Sequence, residues 1–205
     1  MKANELIPIM HAIAARIEKE KDFLTELDNV IGDGDHGINM ARGFKVVETK
    51  IDGLATPADV FKVVGMTLVS TVGGASGPLY GTAFMKLAQS LMGKEEITLG
   101  DFLPAFRAAI DGISMRGRSH QGEKTMLDAM IPAAEAMEAA NAEGKSAKEA
   151  LDAGVAAAWA GVEITKTYAA TKGRASYVGD RSIGHQDPGA TSFTQMLEEV
   201  AGGIA

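Results

Sequence analysis

The sequence predicts an all-α fold: a single domain over residues 1–205, built from about eight antiparallel amphipathic helices with short connections. Three observations predict it. Apolar residues recur near every 3.6 positions along almost the whole chain. Helix-start signals precede several of the apolar runs. The chain shows no strong internal repeat, low-complexity tract or interdomain linker.

Residues 4–20 carry Leu6, Ile9/Met10, Ile13 and Ile17 at helical spacing, with Asn4 as an N-cap candidate and Pro8 in the early turns. Residues 22–30 read as a short helix, and 38–51 resume with Ile38, Phe44 and Val47 facing a core. Thr56-Pro57 is a cap followed by a first-turn proline, opening 57–71. Within it, Val-rich 60–72 has some strand character, but its length and its Thr-Pro start favour helix. Residues 79–92 follow, then a helix capped by Thr98 with Asp101 at the reciprocal position. Residues 126–140 tolerate Pro132 as a kink or a late start. Ser146 and Glu149 form a capping box for a long helix over 146–171, and a short one covers 191–200.

Hydrophobic residues make up 46% of the chain and aromatics only 5%, so abundant Ala, Gly and Met must fill the core and let helices approach closely. A net charge of −7 argues against general nucleic-acid binding, which needs a basic footprint. The absence of cysteine excludes disulfides, thiolate catalysis and Cys-based zinc sites. Met1-Lys2-Ala3-Asn4-Glu5 lacks a secretory apolar core, and no run approaches the ~18 apolar residues of a membrane span. These features point to a soluble, cytoplasmic protein with no membrane association.

The chemistry concentrates in loops. In Leu27-Asp28-Asn29-Val30-Ile31-Gly32-Asp33-Gly34-Asp35-His36-Gly37, three carboxylates are interleaved with glycines. Packed anions repel, so a fold that gathers them holds a cation there. Oxygen-only donors suit a hard ion, Mg2+ or Ca2+, and Mg2+ commonly completes its shell with water and substrate phosphates. Gly and Asp are also ordinary turn residues, so a polar turn remains the plain alternative. An EF-hand is disfavoured, because Asp33-x-Asp35-x-Gly37 breaks the ligand series at its third member.

Gly73-Gly74-Ala75-Ser76-Gly77 would let backbone amides approach phosphate at a helix start, although it lacks the Gly-Lys-Ser/Thr ending of a Walker A loop. A close-packed helix turn explains it equally. The polar segment 115–125 offers Arg and Lys to an anion and Met to an adenine face, yet reads more simply as a solvated connector. Residues 172–190 look like nineteen irregular positions, too many for an ordinary connection. Arg174 and Arg181 in it are anion candidates, and Asp187-Pro188-Gly189 is a rigid turn. His36-Gly37-Ile38-Asn39 starts a helix whose free N–H groups suit phosphate. His36 and His185 sit within these loops, whereas His11 and His120 read as structural or solvated; none forms a zinc pair.

Three of these segments resemble, in order, the family of ADP-binding L subunits of the dihydroxyacetone kinase system: Ile31 to Met40, Val72 to Thr82, and Lys172-Gly173-Arg174-Ala175-Ser176-Tyr177 with Gly184 to Ser192. The resemblance runs nearly the full length. It implies an eight-helix barrel with nucleotide and Mg2+ in loops at one end. It implies metal ligation by Asp28, Asp33 and Asp35. It assigns nucleotide contacts to His36, Gly37, Ile38, Asn39, Ala75, Ser76, Gly117, Met126, Arg174, Asp187, Pro188 and Gly189, with Gly117 and Met126 in the weakest-matching loop. Three carboxylates bring about −3 and ADP about −3, so two Mg2+ ions would offset roughly two-thirds of the charge.

Phosphoryl transfer then needs positioning and neutralisation more than a protein nucleophile, so no residue is expected to be covalently phosphorylated; Arg174 is the candidate charge stabiliser. The resemblance further implies half an enzyme. A K subunit would hold dihydroxyacetone, and a phosphohistidine M subunit would convert bound ADP to ATP. Free exchange of ATP, with a related ketose, is the alternative mode. A nucleotide-sensing module docked on a transcriptional regulator and a stand-alone Mg2+-dependent phosphohydrolase are rival readings. The ketose and any homodimer stay open.

Overall fold

The computed structural model describes residues 1–204, and among them every regular element is helical. The elements are α1 (Ala3–Lys19), α2 (Lys21–Ile31), α3 (His36–Glu48), α4 (Pro57–Thr71), α5 (Ser76–Ser90), α6 (Leu99–Gly117), α7 (Leu127–Ala142), α8 (Ala147–Thr165), a 3-10 stretch Arg174–Ser182, and α9 (Pro188–Gly202). The predicted helix at 57–71 is found in place of the strand alternative, with the Thr56 side chain accepting from Asp59 N–H. The capping boxes at Thr98/Asp101 and Ser146/Glu149 are both present.

Several boundaries differ from the sequence reading; α6, for one, runs on to Gly117, into the segment read as a loop from 115. Asn4 is not the first cap: α1 begins at Ala3, and Glu5 turns back to accept from the Lys2 N–H at 2.7 Å. The glycine loop is shorter than read, because α5 starts at Ser76. The long helix ends at Thr165, six residues early, where the chain turns so that Gly184 N–H and the Lys124 ammonium can meet carbonyls at its end. Apolar periodicity through Tyr168-Ala169-Ala170 did not reveal this, because the turn falls at Lys166-Thr167 and the Tyr168 hydroxyl and Ala170 N–H are taken by Asp128 and Ser182. Residues 172–190 are only partly irregular, at 172–173 and 183–187. They hold the 3-10 stretch, broken at Gly179 (φ 54°), and the first turn of α9, capped by Asp187.

Neighbour packing runs α4–α5–α6–α7–α8–α9–α1–α3 and returns to α4, with α2 lying along α3. Inside this ring Leu6, Met10, Ile13, Phe44, Phe61, Leu68, Phe84 and Met130 are buried. Phe102, Phe106 and Phe193 stack in sequence with ring centroids 5.6 and 5.9 Å apart. The ring surrounds an apolar cavity of about 430 Å³. No helix among the described residues is long and apolar enough to cross a membrane.

The most extensive helix contact is between α7 and α8. Pro132 lacks the N–H that would bond the Asp128 carbonyl, and Gly161 of α8 lies against that same carbonyl: a Cβ there would sit 2.1 Å from the oxygen. Glycine at 161 is therefore required by backbone contact. Gly161→Val is expected to destabilise the protein by about 2–4 kcal/mol through overpacking at this seam, measured by urea denaturation.

Candidate metal and anion site

The loops at one end of the ring converge on a cavity of about 1040 Å³, at the upper edge of the roughly 300–1,000 Å³ range usual for small-molecule sites. Its wall includes Asp28, Asp33 and Asp35 on one side and Gly73 to Ser76 on another. Gly117, Met126, Arg174 and Asp187 to Gly189 are also part of it.

Asp28 is buried in the last turns of α2. One carboxylate oxygen accepts from the Asp35 N–H (2.9 Å) and the His36 N–H (3.1 Å), so the start of α3 holds it in place. Gly32 passes so close to the other oxygen that a Cβ would lie 2.0 Å away. Gly34, at φ +72°, makes the left-handed turn that returns the chain. As a result, one ligand oxygen from each of Asp28, Asp33 and Asp35 lies within 4.8 Å of the others. With carboxylate oxygens alone and no nitrogen or sulfur, this donor set fits a hard divalent cation. Arg174 Nε lies 3.0 Å from an Asp33 carboxylate oxygen, an ion pair that places Arg174 against the acidic cluster.

Across the cavity, Gly74 (φ +63°) turns the chain into α5, whose first amides receive no side-chain cap. Such a helix start presents free N–H groups and the positive end of its dipole to an anion. His36 ties this loop to the acidic one. Its ring nitrogens are hydrogen-bonded to Ser76 Oγ (3.0 Å) and Ser192 Oγ (2.9 Å). Ser192 Oγ in turn meets the Tyr80 hydroxyl (2.7 Å), which also donates to the Gly189 carbonyl (3.1 Å). One buried chain of side chains thus links α3, α5 and α9. Sequence reading missed Ser192 and Tyr80 as supports, because they are helix residues distant in the chain.

The other predicted residues do not all reach the cavity. Gly37 packs on the backbone of α2, where a Cβ would lie 2.0 Å from the Lys21 carbonyl. Ile38 points out at half exposure, and Asn39 is buried beneath Gly73, accepting from Arg42 at 2.6 Å. These three shape the loop floor and are absent from the cavity wall. The α3 start is not free for phosphate at His36, whose N–H is taken by Asp28. Arg181 and His185 are exposed and off the wall, and the His185 backbone carbonyl accepts from Lys124. The 115–125 loop is no loose connector: Asp128 accepts from the Gly122 and Thr125 amides and the Tyr168 hydroxyl, and Lys124 is buried. The Thr125-x-x-Asp128 spacing was the available signal. Arg116, Arg118, Lys172 and Tyr177 also line the cavity.

Two buried groups give the site opposing responses to pH. Burial pushes the His36 pKa down to about 4, so the folded protein refuses a proton that the unfolded chain takes up below about 6.5. Its contribution falls as the pH drops through that interval. Burial pushes Asp187 up to about 7, against the hydrogen bond from Ala190 N–H and with repulsion from Asp128 adding. The fold then favours a proton that the unfolded carboxyl releases above 3.8, so this contribution falls as the pH rises from 3.8 to 7. The two slopes oppose each other over most of the acid range. Asp187→Asn keeps an acceptor for Ala190 and is expected to stabilise the nucleotide-free protein by about 2–4 kcal/mol at pH 8. Little gain is expected at pH 4, and the acid-side loss from His36 should then emerge; urea titrations across the range measure both.

The DAK2 domain family model matches residues 30–202. The chain is 45% identical over 184 residues to the PEP-dependent dihydroxyacetone kinase ADP-binding subunit DhaL of Escherichia coli K12, covering 89% of this chain and 88% of that protein. It is 46% identical over 189 residues to the corresponding subunit of PEP-dependent dihydroxyacetone kinase 1 of Listeria innocua, with 89% of each covered. In fold it is similar to the dihydroxyacetone kinase of C. freundii, solved in complex with AMP-PNP and Mg2+, with a TM-score of 0.72 at 23% identity. That match takes in 97% of this chain and 33% of the larger kinase chain. With most of its length matched by the family model and by relatives of nearly equal extent, the chain belongs to the DAK2 domain family.

Proposed function

We propose that this chain is the ADP-binding subunit of a dihydroxyacetone kinase, a single nucleotide-binding helical domain active only with partner subunits. The carrying observation is the convergence of Asp28, Asp33 and Asp35 within 4.8 Å of one another on a cavity that also contains the uncapped start of α5. The identity to DhaL subunits supports the substrate class.

In this reading Asp28, Asp33 and Asp35 hold Mg2+, two ions by charge balance, which would supply charge neutralisation along a diphosphate. The amides at Ala75 and Ser76 receive phosphate oxygens, and Met126 and Gly189 border the nucleotide. His36, neutral and bonded at both ring nitrogens, fixes the spacing of the loops and carries no phosphoryl group. With Mg2+ held at Asp33, Arg174 would be released from that carboxylate and would face the transferred phosphoryl group. The phosphoryl group would come from a phosphohistidine M subunit to ADP, and pass from the resulting ATP to dihydroxyacetone on a K subunit.

Replacement of Asp28, Asp33 or Asp35 by Asn is expected to abolish retention of nucleotide through dialysis and activity with the partner subunits. Calorimetric titration with Mg2+ and ADP checks the first; unchanged affinity in all three variants refutes the site. ADP recovered from denatured wild-type protein supports the coenzyme mode, whereas an empty site that turns over added ATP with a K subunit supports exchange. Arg174→Ala is expected to lower the transfer rate by about 100-fold or more while leaving Mg-ADP affinity within a few fold; rapid-quench kinetics separate the two.

A further inference from the structure

Lys124 is the largest charged side chain buried in the protein, at 1% exposure, and it is held at φ +60°, a left-handed conformation that a lysine rarely adopts. Its ammonium donates to three backbone carbonyls: Thr165, Ser182 (2.9 Å) and His185 (2.7 Å). The ring of Tyr168 lies 5.8 Å from the nitrogen. Burial lowers its pKa, with Asp187 and Asp128 acting in the opposite direction. An ammonium has three donors and no acceptor, so this site uses its whole capacity.

The three acceptors are not a random set. Thr165 is the last residue of α8, where carbonyls lack helix partners and the dipole is negative. Ser182 ends the 3-10 stretch that begins with Arg174. His185 stands two residues before Asp187, whose N–H donates to Thr165 Oγ1 at 3.0 Å. Both ends of the 166–186 segment are therefore gathered on one nitrogen. Neighbouring bonds reinforce the grip: Gly184 N–H to the Lys166 carbonyl (2.7 Å), Thr171 N–H to the Glu123 carbonyl (3.3 Å) and Ala170 N–H to Ser182 Oγ (2.8 Å). Lys124 itself belongs to the cavity wall with Thr125 and Met126, but its ammonium is turned away to the three carbonyls.

We propose that Lys124 is a positioning residue that latches the 166–186 lid and the Asp187-Pro188-Gly189 turn against the cavity, setting the place of Arg174 without touching nucleotide. It rests on the nucleotide-binding reading above for its consequence, though not for the latch itself. A side chain of similar length without charge leaves the Thr165 and His185 carbonyls with no donor and Ser182 with only the 3.3 Å bond from the His185 N–H, so the lid detaches while the helical ring stays intact.

The test compares wild type with Lys124→Met and Lys124→Arg by hydrogen exchange without nucleotide and by Mg-ADP titration. In Lys124→Met the amides of 174–182, 186–187 and 189–190 are expected to exchange about tenfold faster or more, with α1 and α4 unchanged. Mg-ADP affinity is expected to fall by about tenfold, and Lys124→Arg recovers part of both losses. Unchanged lid exchange and affinity, or a uniform rise across all helices, overturns the latch. Should Lys124→Met fail to fold, reductive methylation of the wild type decides: Lys124 is expected to react at the lid-opening rate, far behind Lys172, and equal rates overturn the proposal. Wild-type protein that does not bind Mg-ADP refutes the nucleotide reading, while the exchange result still judges the latch.

Discussion

The organising constraint of this protein is the mutual repulsion of three carboxylates whose oxygens share a space less than 5 Å across. Without compensation such a cluster costs free energy. The fold supplies part of the compensation locally: two amides at the α3 start fix Asp28, and Arg174 is drawn to Asp33. Holding these groups also dictates the turns around them. Gly32 must be free of a side chain to pass Asp28, and Gly34 must take a positive φ. The glycines and aspartates thus form one device: small residues allow the anions to be brought together.

Arranging loops from five parts of the chain at one end requires a rigid frame. The ring provides it through buried apolar helix faces, and where helices come nearest it uses glycine. At Gly161 the contact is with a carbonyl that a proline left without its helical partner, so a gap in one helix is covered by its neighbour. Above the frame, loop positions are set by buried polar chains. Ser76–His36–Ser192–Tyr80–Gly189 spans one side, and Lys124 with Asp128 spans the other. Such networks cost desolvation unless every member is satisfied, and here each named member has its partners.

The helical frame was legible because its signals are local: a 3.6-residue apolar period and caps such as Thr56, Thr98 and Ser146. The acidic cluster was legible because all its members lie within eight residues. What sequence reading lost was long-range. Lys124 looked like a solvated charge because its acceptors are backbone carbonyls 41 to 61 residues away, which leave no trace in side-chain pattern. The α8 end was overrun for the same reason. Gly37, Ile38 and Asn39 resemble a phosphate-binding helix start, yet packing against α2 and Gly73 turns two of them inward and leaves Ile38 outside the wall.

The Arg174–Asp33 pair shows how the site can be both ordered and ready to change. Its two side chains are 63% and 43% exposed, and pairs of that kind contribute only about 0–1 kcal/mol. In the proposed function a divalent cation at the carboxylates would carry twice the charge at shorter range, and so would displace the guanidinium at little cost. Displacement alone would leave Arg174 wandering in solvent. It becomes useful only if the backbone that carries it stays beside the cavity, and that condition falls on the buried bonds at the far end of the lid, which a cation at Asp33 does not touch. A weak exposed contact therefore sits at the moving tip and a strong buried one at the root. This division lets charge at the mouth redirect one side chain without reopening the fold.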